Sequence, residues 1–287
     1  MSVLLLGSGG QLGTALTASR PEGVTLVARD YPEIDLGDAA AIEALVAAVS
    51  PKLIFNAAAY TAVDKAETET ELALRINGEG VGALARAAEK AGARLIHVST
   101  DYVFDGTKGH PYLPSDPPSP KSAYGKSKLA GEKAALAACR DCLVVRTAWL
   151  YHEGGANFVK TMLRLMASRP EVRVVCDQVG TPTYAGSLAQ ALWTLAQGGH
   201  RGILHFTDSG VASWYDFACA IQEEALALGL LEKAVPVVPI ATSDYPLPAP
   251  RPVFGVLDKS ETWALLGKPA PHWRTTLRLM LKRIKNG

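Results

Sequence analysis

The sequence predicts an α/β protein built on a doubly wound parallel sheet, with a smaller irregular C-terminal part. Three observations carry this. Short runs of near-continuous Val, Leu and Ile alternate with Ala-rich stretches through the first half of the chain. A glycine-rich loop follows the first apolar run directly. The alternation then loosens near residue 150, where Pro-rich loops begin. Strands without polar alternation belong to sheets covered on both faces, and the intervening helices supply that cover. Their crossovers are right-handed, and ligands of such sheets bind at the carboxyl ends of the strands.

The elements follow in order. Residues 2–6 (Ser-Val-Leu-Leu-Leu) form a strand cut off by Gly7, and residues 11–19 a helix. Residues 24–28 are a strand, and the Ala-rich residues 39–49 a helix that must end before Pro51. Residues 53–56 (Leu-Ile-Phe-Asn) are a strand, and residues 70–91 one helix stopped by Gly92. Residues 95–99 are a strand, residues 121–138 a helix and residues 143–147 a strand. Beyond 150, helical stretches remain at 158–167, 186–197, 214–228 and 275–285, separated by loops such as the Pro-rich 236–252. The long Pro-, Gly- and Asp-rich loop at 105–120 is of a length that is often functional.

Composition narrows the function. The chain has 287 residues, 48% of them hydrophobic and 20% charged, which is a globular balance with enough length for a core that needs no staples. A net charge of +1 gives no global attraction to nucleic acid. The first residues lack a positive signal-peptide region, and no run approaches the ~20 apolar residues of a membrane span. A soluble, cytoplasmic protein is expected. Four cysteines are too few for a disulfide scaffold, and Cys139-Arg-Asp-Cys142 lacks the second pair of a zinc site, so that pair reads as small buried or half-buried thiols.

The loop Gly7-Ser-Gly-Gly10-Gln11-Leu12-Gly13 follows a strand and opens a helix. Glycines at 7, 10 and 13 permit a tight turn, close approach of a pyrophosphate and close packing of helix on strand. The helix N-terminus offers free N–H groups to the phosphates. Residues 1–150 are therefore expected to form a dinucleotide-binding (Rossmann) domain, and 151–287 mainly a substrate-binding part, with some segments returning to the sheet. After the second strand, Asp30 suits the ribose hydroxyls of NAD and Arg29 the 2′-phosphate of NADP, which leaves the cofactor choice open. Asp35 and Leu36 read either as adenine recognition or as the region before a helix cap at Asp38.

Tyr124 and Lys128 stand four residues apart on one helix face. A free phenol is a poor proton donor near neutrality, and an adjacent ammonium is expected to lower its pKa. The same Lys can hydrogen-bond a nicotinamide ribose. At the end of the fourth strand, the Thr100 hydroxyl can stabilise a developing oxyanion, with Asp101 close enough to contact substrate or to form a turn.

Two long signatures, Asn56-Ala-Ala-Ala-Tyr-Thr-Ala-Val-Asp-Lys-Ala-Glu67 and Ser99-Thr-Asp-Tyr-Val-Phe-Asp-Gly106, resemble those of the dTDP-4-dehydrorhamnose reductases, which are extended short-chain dehydrogenases/reductases. Tyr124-Gly-Lys-Ser-Lys128, Arg146-Thr-Ala-Trp149 and Asp177-Gln-Val-Gly-Thr-Pro-Thr-Tyr184 extend the resemblance along the chain. It implies NADPH or NADH as cofactor, a dTDP-sugar as substrate and reduction of the C4 keto group. Gly10, Gln11 and Leu12 would then touch the phosphates, Asp30, Asp35 and Leu36 would surround the adenosine, and Ala59, Tyr60 and Thr61 would line the cleft. Thr100 and Asp101 would contact the sugar, Tyr124 would be the acid and Lys128 its electrostatic partner. Trp149 would contact substrate, core packing being its alternative.

Two positions depart from the family pattern. Gly255 stands where Ser is usual, which puts one diphosphate contact in doubt, and Ala15 replaces an acid tied to a metal-assisted dimer, so no metal site is expected. A homodimer is left open. The competing readings are a nucleotide-sugar epimerase or dehydratase, and a non-catalytic subunit resembling the regulatory β subunit of methionine adenosyltransferase.

Overall fold

The computed structural model describes residues 1–286. Its first half runs β1 (Ser2–Leu6), α1 (Gln11–Ala18), β2 (Thr25–Arg29), α2 (Ala39–Val49), β3 (Leu53–Asn56), α3 (Thr70–Leu74), α4 (Gly80–Ala91), β4 (Arg94–Thr100), α5 (Ala123–Ala138) and β5 (Cys142–Thr147). The second half runs β6 (Leu150–Tyr151), α6 (Phe158–Ser168), β7 (Val172–Val175), β8 (Val179–Gly180), β9 (Thr183–Tyr184), α7 (Ala185–Gln197), β10 (Gly202–His205), β11 (Ala212–Ser213), α8 (Trp214–Ala227), β12 (Val237–Ile240), α9 (Ser260–Leu266) and α10 (Trp273–Asn286).

Six strands form one parallel sheet in the order β10-β5-β4-β3-β1-β2. The strand order reverses between β1 and β3, which opens the crevice where such sheets bind ligands. Alternate side chains serve opposite faces, as the pleat dictates. Val3, Leu5, Leu53, Phe55, Ile96, Leu143 and Val145 pack under α1 and α7. Leu4, Leu6, Ile54, Leu95 and Val144 pack under α2, α4 and α5. Phe55 meets Trp193 of α7 edge to face, with centroids 4.8 Å apart. Cys139 and Cys142 are buried free thiols.

A separate core joins α6, α8 and α10 around Phe217, Ile221, Leu277 and Met280. It is hung from the end of the main sheet by the parallel pair β6–β9, in which Leu150 faces Thr183 and Tyr151 faces Tyr184. Strand β10 returns to the main sheet beside β5.

Three details differ from the expected elements. The helix anticipated over 70–91 is interrupted by a π-helical turn at Arg75–Glu79, which shifts the register by one residue and turns Asn77 inward. α5 begins at Ala123 rather than 121, because the Ser122 hydroxyl caps it by accepting the Gly125 N–H at 3.0 Å. The two-residue strands β6, β8, β9 and β11 have no periodicity to read, and the four-residue β7 and β12 and the helix α9 were not expected either. Among the described residues, no helix is long and apolar enough to cross a membrane, and no group of three His, Cys, Asp or Glu converges to hold a metal ion.

Candidate active site

The sheet register sets Leu6, Arg29 and Asn56 side by side at the ends of β1, β2 and β3 and opposite His97, and β4 and β5 run three residues further to end together at Thr100 and Thr147. A cleft of about 860 Å³ opens there. It is lined by Gly7, Gly10, Gln11 and Leu12 from the glycine loop, Asp30, Asp35 and Leu36 beyond β2, and Ala59, Tyr60 and Thr61 beyond β3. Thr100, Asp101, Tyr124, Lys128 and Trp149 line the same cleft. Gly13 alone among the expected site residues is not on its wall.

Gly7 and Gly13 have distinct geometric duties. Gly7 has φ +81°, and a Cβ there would lie 2.5 Å from the Ala58 backbone N. A Cβ on Gly13 would lie 2.0 Å from Gly7 O, so Gly13 lets α1 press against the loop from beneath. The N-cap position Gly10 has no side chain to accept from the first turn of α1, and that turn faces the cleft through Gln11 and Leu12. Free N–H groups at a helix N-terminus favour an anion.

Asp30 turns into the loop: one carboxylate oxygen accepts the Gly9 N–H at 2.7 Å, the other the Tyr31 N–H at 2.9 Å. Arg29 instead donates to its neighbour's carbonyl, Ala28 O, at 2.8 Å and lies 3.8 Å from Glu33. The Asp35 carboxylate accepts the Gly37 N–H at 2.7 Å, while Asp38, not Asp35, caps α2.

Thr100, Tyr124 and Lys128 converge at the ends of β4 and α5. Thr100 donates to the Asp101 carboxylate at 3.0 Å and accepts the Tyr102 N–H at 3.2 Å. Burial pushes Asp101 up to about 7, with the Thr100 hydrogen bond pulling the other way. A Cβ on Gly255 would lie 2.6 Å from that carboxylate, so the glycine makes room for it. The Tyr124 phenol is pushed up to about 12, by burial first and the Asp101 charge second, while the Thr100 hydroxyl opposes. This corrects the expected lowering by Lys128. The Lys128 Nζ donates to Val98 O at 2.8 Å and faces His97 Nε2 at 3.4 Å, and burial draws its pKa down to about 8 against the pull of Glu132. For both groups desolvation is the largest influence.

Several site residues escaped the sequence reading. Asn77 accepts the Tyr60 N–H at 2.8 Å, donates to Tyr60 O at 2.9 Å and to Ser127 Oγ at 3.0 Å, tying the loop after β3 to α5. Arg146 of β5 clamps Glu132 of α5 through two hydrogen bonds of 2.9 and 2.7 Å, both residues being almost wholly buried. Tyr124, Lys128 and Glu132 are spaced by four, a signal that was there to be followed one step further. Arg251 pairs with Asp64 at 2.9 Å, bringing the C-terminal part to the loop after β3. Trp149, with φ +48°, stacks on Trp214 of α8 with centroids 3.5 Å apart.

A nicotinamide dinucleotide suits this cleft. The buried hydroxyls of Ser99 and Thr147, on its wall, have no hydrogen-bond partner in the protein. Polar groups so placed are ordinarily satisfied by something that binds there.

Comparison with known proteins agrees with the geometry. The family profile described as the RmlD substrate binding domain matches residues 1–286. The dTDP-4-dehydrorhamnose reductase of Burkholderia thailandensis is 42% identical over 293 residues, covering 98% of each chain. That of Mycobacterium tuberculosis H37Rv is 44% identical over 287 residues, 97% of this chain and 92% of its own. The crystal structure of the Bacillus anthracis dTDP-4-dehydrorhamnose reductase in complex with NADP superposes with a TM-score of 0.93 at 34% identity, over 98% of this chain and 99% of its own. A glycine loop, a Tyr–Lys helix face and a hydroxyl-lined cleft thus sit on a chain that matches its relatives from end to end: the protein belongs to the RmlD substrate binding domain family.

Proposed function

We propose that the protein reduces the C4 keto group of dTDP-4-dehydro-L-rhamnose, giving dTDP-L-rhamnose, with NADPH or NADH. The observation that carries this is the convergence of Thr100, Tyr124 and Lys128 on one cleft beneath the glycine loop, in a chain similar throughout to reductases of that substrate. The reduced nicotinamide supplies the hydride. Tyr124 then gives its phenolic proton to the oxygen that gains charge; held neutral by burial, it retains that proton at working pH. The Thr100 hydroxyl, turned from Asp101 toward the same oxygen, would steady it. Lys128 orients the cofactor ribose and, in its ammonium form, compensates the charge left on the phenol.

Gly7, Gly10, Gln11, Leu12 and Gly13 would form the phosphate cradle, and Asp30, Asp35 and Leu36 the adenosine end. Ala59, Tyr60 and Thr61 would wall the cleft, and Asp101 and Trp149 would meet the sugar. On this reading residues 1–150 hold the cofactor and 151–287 mainly hold the substrate, in a cytoplasmic enzyme for which a homodimer is left open.

The test is nicotinamide absorbance with purified protein, either reduced cofactor and the keto sugar. Oxidation that stops when the sugar is exhausted supports the reductase. Tightly retained NAD⁺ with isomerised sugar and no net oxidation would make the protein an epimerase or dehydratase. Cofactor binding without turnover, alongside a co-purifying partner, would make it a regulatory subunit.

A further inference from the structure

A buried imidazole beside Lys128 has no part in the chemistry above. His97 lies in the middle of β4, fully buried between Asn56 of β3 and Lys128 of α5. Its Nδ1 is 3.0 Å from Asn56 Nδ2, and its Nε2 is 3.4 Å from Lys128 Nζ. The Asn56 amide cannot turn over freely, because its Oδ1 accepts the Ala58 N–H at 3.2 Å. That leaves the amide nitrogen facing His97, and an amide NH₂ only donates. Nδ1 must then be the lone-pair nitrogen, and the neutral ring carries its proton on Nε2. Burial holds the ring neutral, well below the usual imidazole range, and any charge on Lys128 pushes the same way.

The ring therefore points an N–H at Lys128 Nζ. An ammonium has donors only and gains nothing from a second donor. A neutral amine has a lone pair that accepts it, and Nζ can still donate to Val98 O. We propose that Asn56 and His97 are positioning residues that fix the Nε2–H tautomer and thereby favour the neutral amine of Lys128, making it a side chain that exchanges its proton rather than a permanent cation. This rests on the reading of Lys128 as part of the active site.

The other ionisable groups around Lys128 do not substitute for His97. Tyr124 and Glu132 lie on its own helix, Asp101 on the turn after β4, and Arg146 on β5, where it occupies both Glu132 oxygens. The turn before α4 presents the uncharged Asn77 to this side of α5. Glu132 alone favours the charged amine, and burial opposes it.

The first measurement is ¹⁵N NMR of the histidine-labelled full chain, with His97→Gln used to assign the His97 ring among the six histidines. A protonated Nε2 with a bare Nδ1 is expected. An Nδ1–H tautomer or an imidazolium would overturn the proposal, and this wild-type spectrum decides even where a variant fails to fold. The second is the alkaline limb of kcat/KM and of NADPH binding in wild type and Asn56→Asp. A carboxylate at 56 accepts from Nδ1, moves the ring proton there and turns Nε2 into an acceptor for the ammonium. The limb should then rise by about one to two pH units.

Throughout, the limb must follow the tautomer. A limb that moves without the ring proton, or stays while it flips, refutes the proposal. Full turnover in Lys128→Met would instead defeat the reading of Lys128 while leaving the tautomer measurement standing.

Discussion

Replacing Glu132 by Gln isolates the interaction that anchors the helix carrying Tyr124 and Lys128. Both partners of the Glu132–Arg146 pair are 1% exposed, so water cannot solvate the guanidinium once the carboxylate is gone. The remaining neighbours of Arg146 are Pro114 O at 3.5 Å, His205 Nε2 at 3.4 Å and the Phe104 ring at 5.0 Å. None is a counter-charge; His205, drawn down to about 3 by burial and by Arg146 itself, stays neutral. Gln can accept one of the two guanidinium hydrogen bonds, but its NH₂ opposes the other. Removing one member of such a pair costs about 3–5 kcal/mol, because a buried charge is left alone. Urea unfolding followed by tryptophan fluorescence measures this. The double variant Glu132→Leu/Arg146→Met, of similar volume and no charge, should recover to within about 1 kcal/mol of wild type. A single variant within 1 kcal/mol of wild type, or a double variant as damaged as the single, would refute the reasoning.

Other expectations follow from the site. Tyr124→Phe should lower turnover by about 10²–10⁴-fold with NADPH binding retained; near-normal turnover would remove Tyr124 as the proton donor. Asp30→Ser should shift the kcat/KM ratio toward NADPH by about tenfold or more, since a carboxylate on the cleft wall repels a 2′-phosphate, whereas Arg29→Ala should leave the ratio unchanged, its guanidinium being turned to Ala28 O and Glu33. Burial raises Asp208 from 3.8 to about 6 in the folded state. The folded protein therefore binds more protons than the unfolded chain between those values, and stability falls by roughly 3 kcal/mol as pH rises through that window. Asp208→Asn should flatten the fall, and an equal slope in both proteins would assign it to other groups.

What was legible in the sequence is what local constraints dictate. A strand buried on both faces must be continuously apolar, and a phosphate turn must spare its side chains, so β1 and Gly7 declare themselves without a partner. Tyr124 and Lys128 were legible because a helix brings residues four apart together. What stayed hidden depends on pairing across the chain. His97 looks like any strand residue until the register sets it opposite Asn56 and α5 lays Lys128 over it. Ser99 and Thr147 acquire meaning only when β4 and β5 end side by side at the cleft. The turn that points Asn77 inward lies where Asn77, Gly78, Gly80 and Gly82 weaken the helix, but those residues do not say whether the helix stops, kinks or widens. The pKa of Tyr124 was misread for the same reason: spacing shows that a lysine is near, not where its nitrogen is spent.

The return of β10 to the sheet has a consequence for how the molecule comes into being. One face of the nucleotide fold lies under α1 and α7, and Leu188, Leu192, Trp193 and Leu195 of α7 belong to the same core as β1 and β3. When residue 150 leaves the ribosome, that face carries only α1 and the outer edge of β5 has no neighbour. A nascent chain can sketch this half but not close it, and a fragment cut at 150 should be a sticky, unfinished sheet. The sixth strand of the sheet is supplied by residues 202–205, so the sheet is completed only after more than fifty residues of the second half have been synthesised.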